Sequence, residues 1–330
     1  ERYIHIIPTM TTTTATLTKT VTVTTTTNPG LAEFFAAEQH AAQLDPDPAN
    51  SLFCFVVAED YELPSVRWQA ERQIGIFACD AFAVYSDKVT HPKLVGCFPD
   101  GECVYTTPIP GAAAWLGHLY GMKMVMNANV LLRAWKHVFN SSVAVKQNWT
   151  VKVDPDTVFL PHRLRKLLRR NGRPDVPDGD GGGRYMLNCP KWQSMQGPLE
   201  VLSRQATLAL DDHLDFCSRS IGMNIGEDVF LDRCLRWYVH AWPLQNWESL
   251  KDSKCGMPSR WVPGVGLAAN FDCTDIGTAA FHPFKDVELF RVCLRQAFEA
   301  EKLLSKEQDM FWDQDYEHEA EIAHKLAMIR

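Results

Sequence analysis

The chain has 330 residues, a formal net charge of −7 and 46% hydrophobic residues. This length suits one large α/β domain or two smaller ones, and the apolar fraction is that of an ordinary globular protein. The acidic balance excludes a general nucleic-acid-binding protein, because no basic face dominates the sequence.

The N-terminal part is strongly biased in composition. Residues 9–27 are almost entirely threonine with a few valines, which cannot build a hydrophobic core and resembles an O-glycosylated stalk. The alternating Thr/Val part is also compatible with an aggregation-prone strand. A helix is predicted over residues 31–44, and a Pro-rich linker follows at 45–50. We predict that residues 1–50 form a largely disordered stem that contains this one short helix.

The start of the chain leads to an expectation about its origin. The sequence begins with Glu1 rather than Met, and it contains no run of about 18 apolar residues that could span a bilayer. We therefore expect the chain to be a fragment, with a signal or membrane anchor upstream of the stem.

The folded body is predicted to begin with residues 52–58, an apolar run typical of a buried parallel strand. A helix over about 66–73 follows, and then strands over 74–78 and 81–85. This alternation predicts an open, mostly parallel, Rossmann-like α/β sheet flanked by helices, in one domain over residues 51–300.

Two aspartates follow the second and third of these predicted strands. In an open α/β sheet, ligands bind beyond the C-terminal ends of the strands. Asp80 and Asp87 are predicted to lie at such ends, where either could contact a nucleotide. A role in a turn is an equally open interpretation for each of them.

The most informative segment is Trp149–Thr157, which follows a long helix predicted over about 111–139. Residues 149–153 alternate in apolar and polar character, as in a half-buried strand. Asp154 and Asp156 come directly after it, in a turn that the intervening proline stiffens. Their hard oxygen donors suit Mg²⁺ or Mn²⁺ that is bound jointly with substrate phosphates.

The Asp-x-Asp tripeptide is weak evidence by itself, because the chain contains it four times. We interpret the other copies as solvated surface: Asp45/Asp47 in the linker, Asp178/Asp180 in a glycine run and Asp313/Asp315 near the C-terminus. Only Asp154/Asp156 follows a strand. Taken alone, that pair is equally compatible with a turn that caps the helix beginning near Pro161.

Residues 162–170 are basic, with leucines at helical spacing, and predict an amphipathic helix with a solvated charged side. Binding of phosphate or of an acidic membrane is the alternative. The glycine run at 178–183 matches neither a P-loop nor a dinucleotide fingerprint. A strand at 184–187, the segment 197–203 and a helix through Asp215 follow, and residues 301–330 are predicted to form a helical extension.

A second acidic site precedes another apolar helix. Glu227 and Asp228 lie just ahead of it, where the amides of a helix N-terminus can stabilise an anion. The alternative is that one of them is merely the N-cap residue, and this segment alone favours that interpretation.

The cysteines and sequons indicate the secretory pathway. None of the ten cysteines forms a C-x-x-C pair or a compact Cys/His metal motif, so disulfides in an oxidising compartment fit best. Asn140-Ser-Ser and Asn148-Trp-Thr match the N-glycosylation sequon. Asn148 adjoins the strand before the Asp pair, so we expect it to be unmodified.

Three motifs together resemble the fringe-like and core 1 galactosyltransferase-like β-1,3-glycosyltransferase family. They are Trp149-x-x-Lys152-x-Asp154-x-Asp156-Thr157, Glu227-Asp228-Val229 with Cys234-Leu235, and Phe281-His282-Pro283-Phe284, in matching order and separation. The resemblance covers about residues 50–300 and is specific at these three places. It implies a single GT-A catalytic domain, a nucleotide-sugar donor that is most often a UDP-sugar, and dependence on Mn²⁺ or Mg²⁺. It also implies a glycan or glycoprotein acceptor and a type II membrane enzyme of the Golgi or ER lumen.

The resemblance also implies roles for individual residues. Asp154 and Asp156 correspond to the metal-binding pair, His282 to a late metal or diphosphate contact, Asp228 to the catalytic base, Glu227 to a residue orienting the base or acceptor, and Lys152 and Gly197 to donor-binding positions, Gly197 lying in the loop beneath the sugar. Two positions depart from the family pattern: Pro155 replaces an acid, and Asp232 stands where glycine is frequent.

The implied reaction is inverting transfer, with the cation stabilising the leaving diphosphate and a carboxylate deprotonating the acceptor hydroxyl. The side chains of Trp192, Trp242 and Trp247 could stack on sugars or simply pack against the protein. Two other classes stay open. One is a metal-dependent phosphoester hydrolase, which usually needs a second ligand cluster, and the other is a non-catalytic secreted carbohydrate-binding protein of the same fold.

Overall fold

The computed structural model describes residues 48–86, 91–98, 101–109, 111, 115–119, 122–170, 182–257, 259–262, 266–269 and 272–301. The predicted helix at 31–44 lies outside the described residues, as do the other three Asp-x-Asp copies and Asp87. Of the predicted stem and C-terminal extension, only residues 48–50 and 301 are described, and residues Pro48–Asn50 form a 3-10 turn.

Strands and helices alternate along the described chain. In chain order the strands are β1 (Leu52–Val57), β2 (Ala81–Ser86), β3 (Leu94–Cys97), β4 (Cys103–Tyr105), β5 (Thr107–Pro108), β6 (Trp115–Leu119), β7 (Met122–Met126), β8 (Trp149–Val153), β9 (Val158–Phe159), β10 (Arg184–Leu187), β11 (Leu199–Ser203), β12 (Trp242–Gln245), β13 (Leu250–Asp252), β14 (Ser259–Val262), β15 (Gly266–Ala269) and β16 (Ala280–His282). The α-helices are α1 (Leu63–Glu71), α2 (Ala128–Phe139), α3 (Pro161–Arg170), α4 (Arg204–Ile221), α5 (Glu227–Cys234) and α6 (Val287–Ala300).

A seven-stranded sheet in the order β12-β10-β11-β8-β1-β2-β5 forms the centre of the fold. Strands β8, β1, β2 and β5 run parallel to one another, and β12 runs parallel to β10, whereas β11 is antiparallel to both β8 and β10. The protein is therefore a mixed α/β fold with a mostly parallel central sheet and flanking helices, compatible with the predicted Rossmann-like arrangement. The C-terminal ends of β1 and β8 meet at one edge of this sheet.

Helices cover both faces of the sheet. On one face, Phe53 and Phe55 of β1 pack with Trp135 of α2 and with residues of α5, and Phe55 meets Trp135 edge to face at 4.9 Å. On the other face, the alternate residues of β1 pack against α1 and α3. Because β1 is apolar on both faces, it reads in the sequence as one uninterrupted hydrophobic run.

Two sequence predictions of secondary structure are wrong. Residues 74–78 were expected to form a strand, but Gly75–Ala78 form a 3-10 helix, and Gln73 and Gly75 have φ angles of 52° and 59° that break an extended chain. The helix predicted from residue 111 begins only at Ala128, because β6 and β7 pair antiparallel ahead of it. Two glycines, Gly117 and Gly121, lower the helix propensity of that hairpin segment.

A three-stranded sheet in the order β13-β16-β9 packs beside the central sheet. Strand β16 runs parallel to β13 and places His282 opposite Asp252. It also runs antiparallel to β9, which follows the Asp154–Asp156 turn directly. This small sheet therefore carries a residue from near the end of the described chain to the edge where β8 ends.

The basic helix α3 is buried more deeply than its sequence predicts. Arg163 donates from Nε to Glu301 Oε1 at 2.7 Å and from its other nitrogens to three backbone carbonyls, and His162 lies 2.7 Å from the same carboxylate. Arg165 pairs with Asp80 at 2.7 Å. The expectation of a solvated charged side is wrong at these three positions, because ion pairs and carbonyls satisfy the buried charges.

All ten cysteines are paired in five disulfides: Cys54–Cys79, Cys97–Cys103, Cys189–Cys255, Cys217–Cys234 and Cys273–Cys293. Disulfides persist in oxidising compartments, so this set fits a secreted or lumenal protein. Within the described residues, no helix has both the length and the hydrophobicity that a membrane span requires.

Candidate active site

The Asp-x-Asp turn lies at the C-terminal end of β8, where a parallel α/β sheet is expected to bind ligands. Asp154 accepts a backbone hydrogen bond from Thr157 at 3.0 Å, and the Asp156 carbonyl accepts one from Phe284 at 2.8 Å. The second bond joins the turn to the segment after β16. Ligand atoms of Asp154, Asp156 and His282 consequently lie within 4.8 Å of one another.

His282 is oriented by a third acid. Its Nδ1 donates to Asp252 Oδ2, so Nε2 faces Asp156 and lies 3.3 Å from Oδ1. Burial by itself would lower the pKa of His282, but the carboxylates of Asp156 and Asp252 raise it to about 9. Burial by itself would raise the pKa of Asp156, but the positive charges of His282 and Lys285 outweigh burial and lower it.

This donor set fits a divalent metal ion. Two carboxylates and one imidazole suit Mn²⁺, and the predominance of oxygen also admits Mg²⁺. A carboxylate that fixes the second ring nitrogen of a ligating histidine is a common support for a metal site. Asp252 occupies that supporting position, and no motif in the sequence singled it out.

Lys152 links the two acidic motifs beneath the surface. Its side chain is only 3% exposed, and Nζ lies 2.6 Å from Asp154 Oδ1 and 3.5 Å from Glu227 Oε2. It also donates to the Gly197 carbonyl at 2.8 Å. The sequence grouped Lys152 and Gly197 with donor binding, but Lys152 does not line the cleft and instead joins β8 to α5.

Glu227 and Asp228 occupy the first turn of α5, and the N-cap residue is Gly226. The N-cap interpretation of the acids is therefore wrong. Glu227 is buried and accepts from Trp135 Nε1 at 2.6 Å, while its backbone amide donates to Asn127 Oδ1 at 2.9 Å. These contacts leave Glu227 facing inward, toward Lys152.

Asp228 is half-buried and faces Gly197. Its Oδ1 accepts from the Val229 amide at 2.8 Å and its Oδ2 from the Gly197 amide at 3.4 Å. Burial, reinforced by the charge of Glu227, raises the pKa of Asp228 above the ordinary aspartate value. A carboxylate with a raised pKa is suited to accept a proton.

Gly197 separates the metal-ligand group from Asp228. A Cβ placed on Gly197 would lie 3.8 Å from Asp154 Oδ2 and 3.9 Å from the Asp228 Cβ. Asp154 and Asp228 therefore both lie close to the same glycine. Asp232, the departure noted in α5, accepts from Arg236 at 3.1 Å and is accommodated within the helix turn.

A cleft of about 330 Å³ opens over the Asp-x-Asp turn. Its lining joins the ligand group to residues that the sequence patterns did not reveal, among them Tyr61, Glu62, Asn127, Lys254 and Lys285. Burial raises the pKa of Glu62 to about 7, and the charges of Asp156 and Asp154 act in the same direction. Lys254 and Lys285 place two positive charges in a lining that also contains Glu59, Glu62, Asp154 and Asp156.

Other predicted positions lie elsewhere. Asp80 precedes β2 and accepts from the Leu52 amide at 2.7 Å, so its expected place at a C-terminal strand end is wrong. The cause is the 3-10 helix that replaces the predicted strand before it. Trp192 and Trp242 are 51% and 59% exposed, and Trp247 packs partly against the core. Trp192 contacts a residue of the cleft lining, because its Nε1 donates to the Lys254 carbonyl at 3.2 Å.

Comparison of the chain with protein-family models and with curated protein sequences gives no match. The function therefore has to be argued from the site itself.

Proposed function

We propose that the protein is a metal-dependent inverting glycosyltransferase with a GT-A fold, of the fringe-like and core 1 galactosyltransferase-like kind. It would move a sugar from a nucleotide-sugar, most often a UDP-sugar in enzymes of this kind, to a hydroxyl of a glycan or glycoprotein. The observation that carries the proposal is the pairing, at one sheet edge, of a three-ligand group with a separate carboxylate of raised pKa.

The assigned roles follow the geometry. Asp154, Asp156 and His282 would hold Mn²⁺ or Mg²⁺, with Asp252 fixing the His282 ring. The bound cation would supply charge stabilisation to a diphosphate leaving group. Lys254 and Lys285 belong to the lining of the cleft, and their positive charges would add to the attraction for that diphosphate.

Asp228 is the proposed general base. It lies close to the same glycine, Gly197, as Asp154, so an acceptor hydroxyl next to Asp228 would lie near a donor held at the Asp-x-Asp turn. The amides of Gly197 and Val229 hold its carboxylate in place. The base would remove the proton of the acceptor hydroxyl while its oxygen attacks the anomeric carbon from the side opposite to the leaving diphosphate, which accounts for inversion. Such a base contributes roughly 10² to 10⁴-fold to the rate.

The disulfides and the Thr-rich tract support a place in the Golgi or ER lumen for this proposed enzyme. A phosphoester hydrolase is a weaker candidate, since the described part of the chain has one group of three metal-binding side chains and two-metal centres need more. A carbohydrate-binding protein without turnover is the candidate that the following experiment separates from the transferase.

The test is release of nucleoside diphosphate from a panel of UDP- and GDP-sugars by the disulfide-intact protein, with Mn²⁺ or with EDTA. Mn²⁺ is expected to raise the melting temperature and to support turnover of one donor. The variant Asp154→Ala/Asp156→Ala is expected to lose both effects. Asp211→Ala/Asp212→Ala, on the exposed surface of α4, removes the same charge away from the site and serves as the control.

Three results would decide among the classes. Mn²⁺-dependent binding of a nucleotide without turnover of any donor would favour the carbohydrate-binding protein. Hydrolysis of simple phosphoesters without a sugar acceptor would favour the hydrolase. A melting temperature that stays unchanged in the wild type with Mn²⁺ alone and with Mn²⁺ together with a nucleoside diphosphate would reject the metal site itself.

A further inference from the structure

Glu200 is a buried carboxyl group that no sequence motif identified. It lies on β11, opposite Lys152 of β8, and its side chain is fully buried. Within the described residues, neither of its carboxyl oxygens accepts a hydrogen bond from a donor group. A buried carboxylate with no donor is strongly disfavoured, so the position requires an explanation.

The group that faces Glu200 is another acid. Glu227 is also buried, and its carboxylate lies 3.5 Å from the ammonium of Lys152, the residue that stands opposite Glu200 in the β8–β11 ladder. Two buried carboxylates beside one ammonium that is already paired with Asp154 repel each other, and a proton on one of them relieves the repulsion. The acid that carries this proton can donate a hydrogen bond to the other.

The surrounding contacts indicate which of the two acids holds that proton. Glu227 already accepts from Trp135 Nε1 at 2.6 Å and faces the Lys152 ammonium at 3.5 Å, and both contacts favour its charged form. Glu200 has no comparable donor. The buried ammonium of Lys152 lies closer to Asp154, at 2.6 Å, and therefore cannot also neutralise a third carboxylate.

We propose that Glu200 is a protonated, neutral acid that donates a hydrogen bond to Glu227 and acts as a positioning residue for the acidic cluster. Its bond holds Glu227 against Trp135 and Lys152, which in turn keeps the Lys152 ammonium aligned with Asp154 and Gly197. As a neutral group it adds no further negative charge beside Asp228. The protonation of Glu200 does not depend on the proposed transfer reaction, whereas its effect on turnover rests on that reaction.

Electrostatics supports this geometry. Burial, with the charge of Glu227 next in importance, holds the pKa of Glu200 well above the usual glutamate value despite the opposing effect of Lys152. The charged groups that face it are Lys152 from β8 and Glu227 and Asp228 from α5.

The first test compares the wild type with Glu200→Gln, a neutral side chain of the same shape that keeps a donor. The wild type at neutral pH is expected to show an infrared carbonyl band of a protonated carboxylic acid that this variant lacks. If the two spectra are identical in that region, Glu200 is ionised and the proposal is overturned.

Denaturant unfolding with the disulfides intact gives a second, independent measurement. An unfolded glutamate loses its proton near pH 4.3, whereas the folded Glu200 keeps it, so wild-type stability falls as pH rises above that value. The ratio of the unfolding equilibrium constant of the wild type to that of Glu200→Gln is expected to rise roughly tenfold per pH unit above about pH 5. A ratio that stays constant with pH contradicts the proposal.

The positioning role is tested with Glu200→Leu, which has no donor, assayed beside Glu200→Gln. Turnover and the Mn²⁺-induced rise in melting temperature are expected to be weakened in the leucine variant and restored at least in part by glutamine. Equal losses in the two variants would show that filling space, rather than the donated hydrogen bond, is what matters. If no donor sugar is turned over by the wild type, the spectra and the unfolding ratios still decide the protonation state of Glu200.

Discussion

At the scale of single residues, Lys152 and Asp154 form a pair that is already neutral before a cation binds. The ammonium is buried, and although burial disfavours its charge, the carboxylates of Asp154 and Glu227 hold the pKa of Lys152 well above its usual value. A cation that binds Asp154 must therefore share the carboxylate with a fixed ammonium at 2.6 Å. This arrangement favours a cation that is captured together with the negative charge of a diphosphate over one bound by the protein alone.

Asp228 gives a prediction about pH. Burial raises its pKa, and because a base must be deprotonated to act, kcat/KM is expected to rise with pH through that elevated value. The acid limb of the profile should therefore lie above the ordinary aspartate value of about 3.9. Asp228→Asn should lower turnover by roughly 10² to 10⁴-fold and leave the Mn²⁺-induced rise in melting temperature intact.

The measurements for this prediction are the pH profile of kcat/KM and a thermal melt with and without Mn²⁺. An acid limb at ordinary aspartate values, or an asparagine variant that stays fully active, would assign the base elsewhere. Loss of the Mn²⁺ effect in Asp228→Asn would mean that this carboxylate belongs to the metal site.

The sequence reveals some residues of the site and not others. Asp154, Asp156 and Asp228 stand next to predicted strand and helix ends, but local patterns left turn and capping roles open for them, and the resemblance of the three motifs to a known family supplied their assignment. Asp252 and Glu200 have no such local signal, because their importance arises from pairing across the β13–β16 and β8–β11 ladders. Pairing between distant strands depends on the whole fold and cannot be read from neighbouring residues.

At the scale of elements, the prediction of strand β8 is confirmed, but the prediction that one of its faces is solvated is wrong. The alternation of residues 149–153 predicted one solvated face, yet all five side chains are buried. Lys152 lies next to Glu227 of α5, where ion pairs replace water. The alternation therefore marks the face that holds the polar network of the site rather than a face in solvent.

The α3–α6 junction gives a stability prediction at this scale. Burial by itself would raise the pKa of Glu301, but its hydrogen bonds and ion pairs with His162 and Arg163 outweigh burial and lower the pKa. A lowered pKa contributes stability above the unfolded value of about 4.3, and the contribution is lost as pH falls. Glu301→Gln is expected to reduce the free energy of unfolding by about 3 kcal/mol at pH 7, because it removes one partner of a buried ion pair.

This difference from the wild type should shrink as the pH falls below about 4, where the glutamate itself becomes neutral. The measurement is denaturant unfolding at several pH values. Glu299→Gln, an exposed residue of the same helix that pairs with Arg295, is the matched control, and it should change stability by at most about 0.5 kcal/mol. A Glu301→Gln effect as small as the control would show that the buried pair adds no net stability.

At the scale of the whole molecule, the two sequons differ in their surroundings. Asn140 ends α2 on the exposed surface and donates from its side chain to the Lys136 carbonyl at 2.8 Å. Asn148 donates from its backbone to Ser51 at the start of the central sheet, and Thr150 of its sequon is buried in β8. Folding therefore leaves the first sequon accessible and hides the second.

We expect a glycan on Asn140 and none on Asn148 when the protein is produced in a secretory cell. Asn140→Gln should lower the apparent mass on an electrophoresis gel by that of one glycan, so that its band migrates faster. Asn148→Gln should leave the migration unchanged. Treatment with a glycosidase that removes N-glycans should abolish the difference between the wild type and Asn140→Gln. A mobility change in Asn148→Gln would show that this sequon is modified before β8 enters the sheet.

The pairing of β16 with β9 and β13 also fixes when the site becomes complete during synthesis. A nascent chain that has emerged from the ribosome as far as α5 already contains Asp154, Asp156 and Asp228 but still lacks His282. In such a chain the residues of β9 also lack their pairing partner, strand β16. If these three residues hold a cation as proposed, a product that ends before residue 282 lacks one ligand, and we expect it to bind Mn²⁺ more weakly than the full chain.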